Sequence, residues 1–271
     1  MKYGIVVMPV APVRKKPHHK YEMVNQLLFG EKVAILSFKQ KGWYKVKSLY
    51  DGYKGWVTHH MLHEIDKETA RSPLPPVLAG DLLNTIEVNG LPMHIPMGAS
   101  IWQPVQGKGM VGRWEYHYNG VVATPAASPE TYRSAIEKYA RQWLNAPYLW
   151  GGKTILGVDC SGFAQTIFKM AGIALLRDAW QQAQEGTVVK KLQDAQPGDL
   201  AFFDDRQEIV HVGILLGPDQ IIHSSGNVRI DAIDKKGIIR QDTGKRTHQL
   251  KLIKRMPQFN LQEDSAGSGI A

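Results

Sequence analysis

The sequence predicts an α+β protein in three parts, with two small β-barrels ahead of a mixed helix-and-strand domain. Three observations predict it. Residues 1–66 alternate short apolar runs with turn residues, residues 67–77 (KETARSPLPPV) are polar and proline-rich, and from Ser128 the apolar spacing becomes helical. At 271 residues the chain also exceeds what one core usually holds, about 100–200 residues.

Hydrophobic residues make up 43% and charged residues 21%, which excludes a largely disordered chain. The formal net charge of +8 would attract anions, but the basic residues form no run longer than Arg14-Lys15-Lys16. A nucleic-acid arm clusters them, so no nucleic-acid partner is expected. The single cysteine excludes an intrachain disulfide and a thiolate-rich metal site, leaving it as a buried filler or a reactive thiol. The opening MKYGIVVMPVAPVRKKP breaks its apolar run at Pro9 and Pro12 and makes a poor signal peptide. No stretch reaches the ~18 apolar residues of a membrane-spanning helix. A cytoplasmic monomer without a membrane partner is the expectation, and an exported protein whose leader lies outside this sequence is the alternative.

Taken in order, Gly4–Val10, Lys32–Phe38, Trp43–Val46 and Gly55–Thr58 read as short strands separated by Pro17, Gly30, Gly42 and Asp51-Gly52. The series V-x-x-x-P, G-E-K-V, W-Y-K-V and G-Y-K-G-W-V across 1–66 resembles the bacterial SH3-like domain, a module of cell-wall enzymes. Residues 67–77 read as a linker. In 78–125, Leu91–Ile95, Ala99–Trp102 and Gly120–Val122 lie around Gly98, Gly107, Gly109 and Gly112, a spacing that suits a second, degenerate SH3-like barrel. Ser128 can cap a helix, Pro129 suits its first position, and Ile136, Tyr139, Ala140 and Trp143 share one face. This opens the third domain, 126–257, and the polar residues 258–271 read as a flexible tail.

Within that domain Tyr148-Leu149-Trp150-Gly151-Gly152 precedes Asp159-Cys160-Ser161-Gly162-Phe163. Phe163, Thr166, Ile167 and Met170 follow at helical spacing, which puts Cys160 in the first turn of an amphipathic helix. Free N–H groups and the partial positive charge of a helix start favour a thiolate, so the spacing predicts a lowered thiol pKa. A lone cysteine is more often core filler, but small polar Ser161 and Gly162 and the glycine-rich lead-in suit close approach by a substrate. Downstream, His211 interrupts the apolar run Ile209–Leu215, and His223 follows Ile221-Ile222. One strand histidine is usually a satisfied core residue. Two on neighbouring strands, with a cysteine upstream, match a thiol enzyme's base and the group that holds its ring.

The order D-C-S-G-F, P-G-D-L (Pro197–Leu200), H-V-G-I and H-S-S resembles the NlpC/P60 family of papain-like cysteine peptidases of the bacterial cell wall, over roughly residues 128–257. The resemblance implies Cys160 as nucleophile, His211 as general base, His223 as the orienting residue, and Tyr148 as an oxyanion-hole donor beside the N–H of Cys160. It implies no metal and no cofactor. The arrangement of SH3-like modules before such a domain is similar to the γ-D-glutamyl-L-diamino acid endopeptidases. In those relatives the first module caps the cleft and an acidic side chain reads the free amino group of the substrate's L-alanine. Glu22 takes that place here, as a buried carboxylate facing an ammonium, and Tyr53 matches its hydroxyl partner. Trp150, Asp159, Ser161 and Asp178 are implied as further substrate contacts. Asp159 would raise the thiol pKa if it pointed inward. Asp178 stands alone, since Ala179 occupies the place of a serine frequent in the family. The implied partner is a murein-derived peptide.

Two other readings stay open on the residues. Cys160, His211 and His223, with Asp159 or Asp199, could ligate zinc in a metal hydrolase, although metal sites usually bring two ligands within a few residues. SH3-like modules also bind peptide or wall polymer, so a non-catalytic adaptor is the alternative from another class.

Overall fold

The computed structural model describes residues 1–39, 42–73, 76–102, 105–123, 126, 128–205 and 208–260. The first domain is a seven-stranded antiparallel sheet in the order Met23–Leu28, Val10–Arg14, Lys54–Thr58, Trp43–Ser48, Lys32–Lys39, Lys2–Val6, Leu62–Ile65. It curls around Val6, Val13, Leu27, Val33, Val46 and Val57. The strand Met23–Leu28 carries no apolar alternation, because Asn25 and Gln26 are buried by the third domain rather than by the barrel's own core.

Within the segment expected to be a linker, the described residues include a helix docked to the barrel. Lys67–Arg71 forms a helix whose N-cap, Asp66, accepts from the Thr69 N–H at 2.7 Å. Its Ala70 is buried with Tyr3 and Ala34, and Val77–Leu78 pairs with Ser100–Ile101. The second domain adds a four-stranded barrel-like sheet in the order Leu91–Pro96, Leu83–Val88, Trp114–His117, Lys108–Val111.

The third domain opens with the helix Pro129–Gln142, capped by Ser128 and burying Ile136, Tyr139 and Ala140. A second helix, Cys160–Met170, is buried along its whole length. It lies against a seven-stranded sheet in the order Thr187–Val189, Arg246–Arg255, Leu200–Asp205, Glu208–Leu215, Gln220–Ser225, Asn227–Asp234, Gly237–Ile239. Gly237–Ile239 also pairs back onto Arg246–Arg255, which closes the sheet on itself. The expected tail starts later than the sequence suggests: Pro257–Asn260 is a 3-10 turn, with Phe259 buried against Tyr132 and Phe168. The rest of that tail, from 261, lies outside the described residues.

The three domains meet at one buried charge cluster. Lys169 donates to Glu31 of the first domain at 2.7 Å and to the Gly98 carbonyl of the second at 2.9 Å. Lys153 lies 3.7 Å from the same carboxylate oxygen. Burial pushes the Glu31 carboxyl up, but the two ammonium groups and the Leu28 N–H outweigh it and hold it at about 2. Gly151 (φ +75°) brings the third domain against the first barrel, where a Cβ would meet the Met23 carbonyl at 2.7 Å.

Candidate active site

Cys160 is the first residue of its helix, and Asp159 is the N-cap, accepting from the Gly162 N–H at 2.6 Å. The helix start is therefore as the spacing predicts. Its expected effect on the thiol is not: burial, followed by the Asp159 charge, pushes the Cys160 thiol up to about 12, against the opposing N–H of Val212 and guanidinium of Arg177. That Val212 N–H belongs to the strand carrying His211, so the sulfur lies beside the histidine strand.

His211 and His223 come from adjacent strands, with His211 Nε2 2.8 Å from His223 Nδ1. His223 Nε2 in turn stands 3.0 Å from Asp231 Oδ2. Gly213 makes room for this, since a Cβ there would lie 2.9 Å from the His223 Cβ. The His211 ring is stacked on His248, with centroids 4.2 Å apart and planes 24° from parallel. Burial pushes His211 well below its ordinary pKa, helped by His223, His248 and Arg229. Burial also lowers His223, against the opposing pull of Asp231. Thiol and imidazole are thus both neutral at rest.

Cys160 forms part of a cleft of ≈ 600 Å³ lined also by Glu22, Tyr53, Trp150, Asp159, Ser161 and Asp178. Tyr148 lines an adjoining hollow with His211 and His248. Burial, then the neighbouring Cys160 and Asp159, raise its hydroxyl to about 12, so it is a donor. Tyr53 is likewise raised to about 12, by burial and then by Asp178. Burial raises Asp178 too, with Arg177 opposing.

Glu22 departs from the expected buried carboxylate. It is exposed just before the strand Met23–Leu28, where it lines the cleft, accepts from Trp150 Nε1 at 2.8 Å and pairs with Lys15 at 3.3 Å. Asp159 points inward and its acceptor positions are taken by the N–H groups of Gly151 and Gly162 and by a two-point contact with Arg177. The Ser161 hydroxyl accepts from Arg177 at 2.9 Å and its carbonyl from Gln182 at 3.1 Å. Both residues therefore border the cleft while their polar atoms hold the start of the Cys160 helix together.

Asn25, Asp231 and His248 were not anticipated as parts of the site, and Arg177 was expected only within the segment Arg177-Asp178-Ala179 that resembles a substrate-contacting one. Arg177 is 1% exposed and ties Asp159 to Asn25 of the first barrel. Asp231 and His248 flank the histidine pair. A lone buried acid in the strand N-V-R-I-D-A-I-D and a histidine on the closing strand are weak signals, visible only once the sheet order is known.

Comparison with known proteins identifies the family. The NlpC/P60 family pattern matches residues 145–247, and that of the bacterial dipeptidyl-peptidase Sh3 domain matches residues 13–62. The gamma-D-glutamyl-L-lysine dipeptidyl-peptidase of Bacillus subtilis (strain 168) is 31% identical over 216 residues, which span 74% of this chain and 71% of that protein. Dipeptidyl-peptidase 6 of Lysinibacillus sphaericus is 25% identical over 265 residues, 88% of this chain and 95% of that one. The crystal structure of an NlpC/P60 family protein from Bacillus cereus shares the fold, with a TM-score of 0.76 over 93% of this chain and 99% of that chain at 20% identity. The chain belongs to the NlpC/P60 family and carries an SH3-like N-terminal domain. It is a hydrolase of the peptidase class.

Proposed function

We propose that the protein is a cysteine endopeptidase that cleaves the γ-D-glutamyl–L-diamino acid bond of murein peptides bearing a free N-terminal L-alanine. The observation that carries this reading is the shared cleft: Cys160 and Glu22 of the first barrel line the same space. The relatives named gamma-D-glutamyl-L-lysine dipeptidyl-peptidase support the bond assignment.

In this reading the Cys160 thiol gives its proton to His211 as its sulfur attacks the γ-carbonyl of D-glutamate. The oxyanion that forms is met by the Tyr148 hydroxyl and the N–H of Cys160; one such donor typically contributes about 10²–10³ in rate. His211 then protonates the departing amine of the diamino acid, leaving a thioester, and water releases L-Ala-D-Glu and restores the thiol. At the cleft mouth the substrate's ammonium takes the place of Lys15 on Glu22. An N-acylated peptide offers no such charge, so freed wall peptides are preferred over intact wall, a preference suited to cell-wall peptide recycling.

The test is incubation with synthetic L-Ala-γ-D-Glu-diamino acid peptides, free and N-acetylated, with products weighed by mass spectrometry. L-Ala-D-Glu is expected from the free peptides, and none from the Cys160→Ala variant. Cleavage by Cys160→Ala, or equal use of free and acetylated peptides, overturns the mechanism or the amine selectivity respectively.

A further inference from the structure

We infer that Asp231 is a positioning residue that fixes the tautomer of His211 through two successive imidazole rings, so that the nitrogen left bare is the one able to receive the Cys160 proton. The inference rests on the reading of His211 as base.

Asp231 is 2% exposed. Its Oδ1 receives the Gln241 N–H at 2.9 Å and its Oδ2 the Arg229 Nε–H at 2.7 Å. A backbone amide and a guanidinium only donate, so both oxygens act as acceptors of an ionised carboxylate. The remaining partner at Oδ2, His223 Nε2 at 3.0 Å, must then carry a hydrogen. Burial keeps His223 neutral, so a hydrogen on Nε2 leaves Nδ1 as a bare acceptor. The contact of 2.8 Å between that Nδ1 and His211 Nε2 needs one hydrogen, which only His211 can supply. With its hydrogen on Nε2, neutral His211 presents an unprotonated Nδ1 at the opposite side of the ring.

Without the carboxylate the same pair of rings has an equally good hydrogen bond in the reverse sense. His223 would carry its hydrogen on Nδ1 and donate to a bare His211 Nε2. His211 Nδ1 would then hold a hydrogen and could accept nothing from a thiol. Asp231 selects between two arrangements that the rings alone do not distinguish. After His211 takes the thiol proton, its Nε2–H remains bonded to His223, so no proton moves along the relay and the carboxylate stabilises the cation from a distance. The other titratable or charged groups facing these rings are His248, stacked on His211 and edge-on to His223, and Arg229, which also holds the Ser225 carbonyl; Phe203 packs on His211 as an apolar neighbour.

The relay is tested on the full chain by nitrogen-15 NMR of labelled histidines at neutral pH, with signals assigned by single His→Gln substitutions. Both His211 and His223 are expected with hydrogen on Nε2 and a bare Nδ1. Hydrogen on Nδ1 of either ring overturns the inference, whether or not any variant folds. Asp231→Asn places an amide N–H₂ among donors, and kcat is expected to fall by up to about 10⁴-fold with KM nearly unchanged, the size of the effect such a change has in a serine-protease triad. Asp231→Glu, which keeps the charge, is expected to recover part of that loss. An Asp231→Asn protein with wild-type kcat and wild-type tautomers also overturns it. Because the NMR pattern does not depend on turnover, a wild-type protein with these tautomers and no peptidase activity sinks the functional reading alone, and an active one with reversed tautomers sinks the relay alone.

Discussion

Asn25 of the first barrel accepts a hydrogen bond of 2.7 Å from Arg177 Nε of the third domain. Arg177 spends its other nitrogens on Asp159 and Ser161, the residues on either side of Cys160. A buried guanidinium thus ties the barrel to the start of the Cys160 helix, which Gln165 and Lys169 tie to Asp51 and Glu31 further along. Asn25→Ala leaves that guanidinium one acceptor short, a loss of about 1–3 kcal/mol. Urea unfolding should show the lower midpoint, and product assays a lower kcat. An unchanged midpoint would show that the contact does not support the site.

The resting thiol gives a second expectation. With Cys160 held near 12 by burial and Asp159, alkylation by iodoacetamide should accelerate steadily from pH 6 to 9, about tenfold per pH unit, as the small thiolate fraction grows. A fast, pH-independent plateau below pH 6 would mean a preformed thiolate–imidazolium pair and contradict this.

Acid stability follows from the three clustered histidines. Burial lowers His211 and His223, and lowers His248 to about 4. The unfolded chain takes up protons as the pH falls through about 6.5, while the folded protein does not. Stability should therefore be full above that pH and decline below it until the folded values are reached. Urea midpoints between pH 7.5 and 5 check the slope, and His248→Phe should make it shallower. A midpoint that rises on acidification would reverse the sign.

The helix start at Cys160 was legible because its apolar positions recur at helical spacing, and the histidine pair because each interrupts an apolar strand. Asp231 was not, since an acid at alternating spacing in N-V-R-I-D-A-I-D reads as an outward-facing residue. Asn25 and Gln26 were hidden for a different reason: their burial is supplied by another domain, and local periodicity carries no trace of it. The same blindness ran the other way at Glu22, which was expected to be buried but lines the cleft with its side chain open to solvent beside Lys15.

Glu31 sits where the three domains join, facing Lys153 and Lys169. An excised third domain would keep both lysines and lose their counter-ion, and leaving buried charge unmatched costs about 3–5 kcal/mol. The modules are consequently not interchangeable parts: grafting a foreign barrel onto this enzyme would require an acid at the same spot, and melting should proceed as one cooperative event rather than domain by domain.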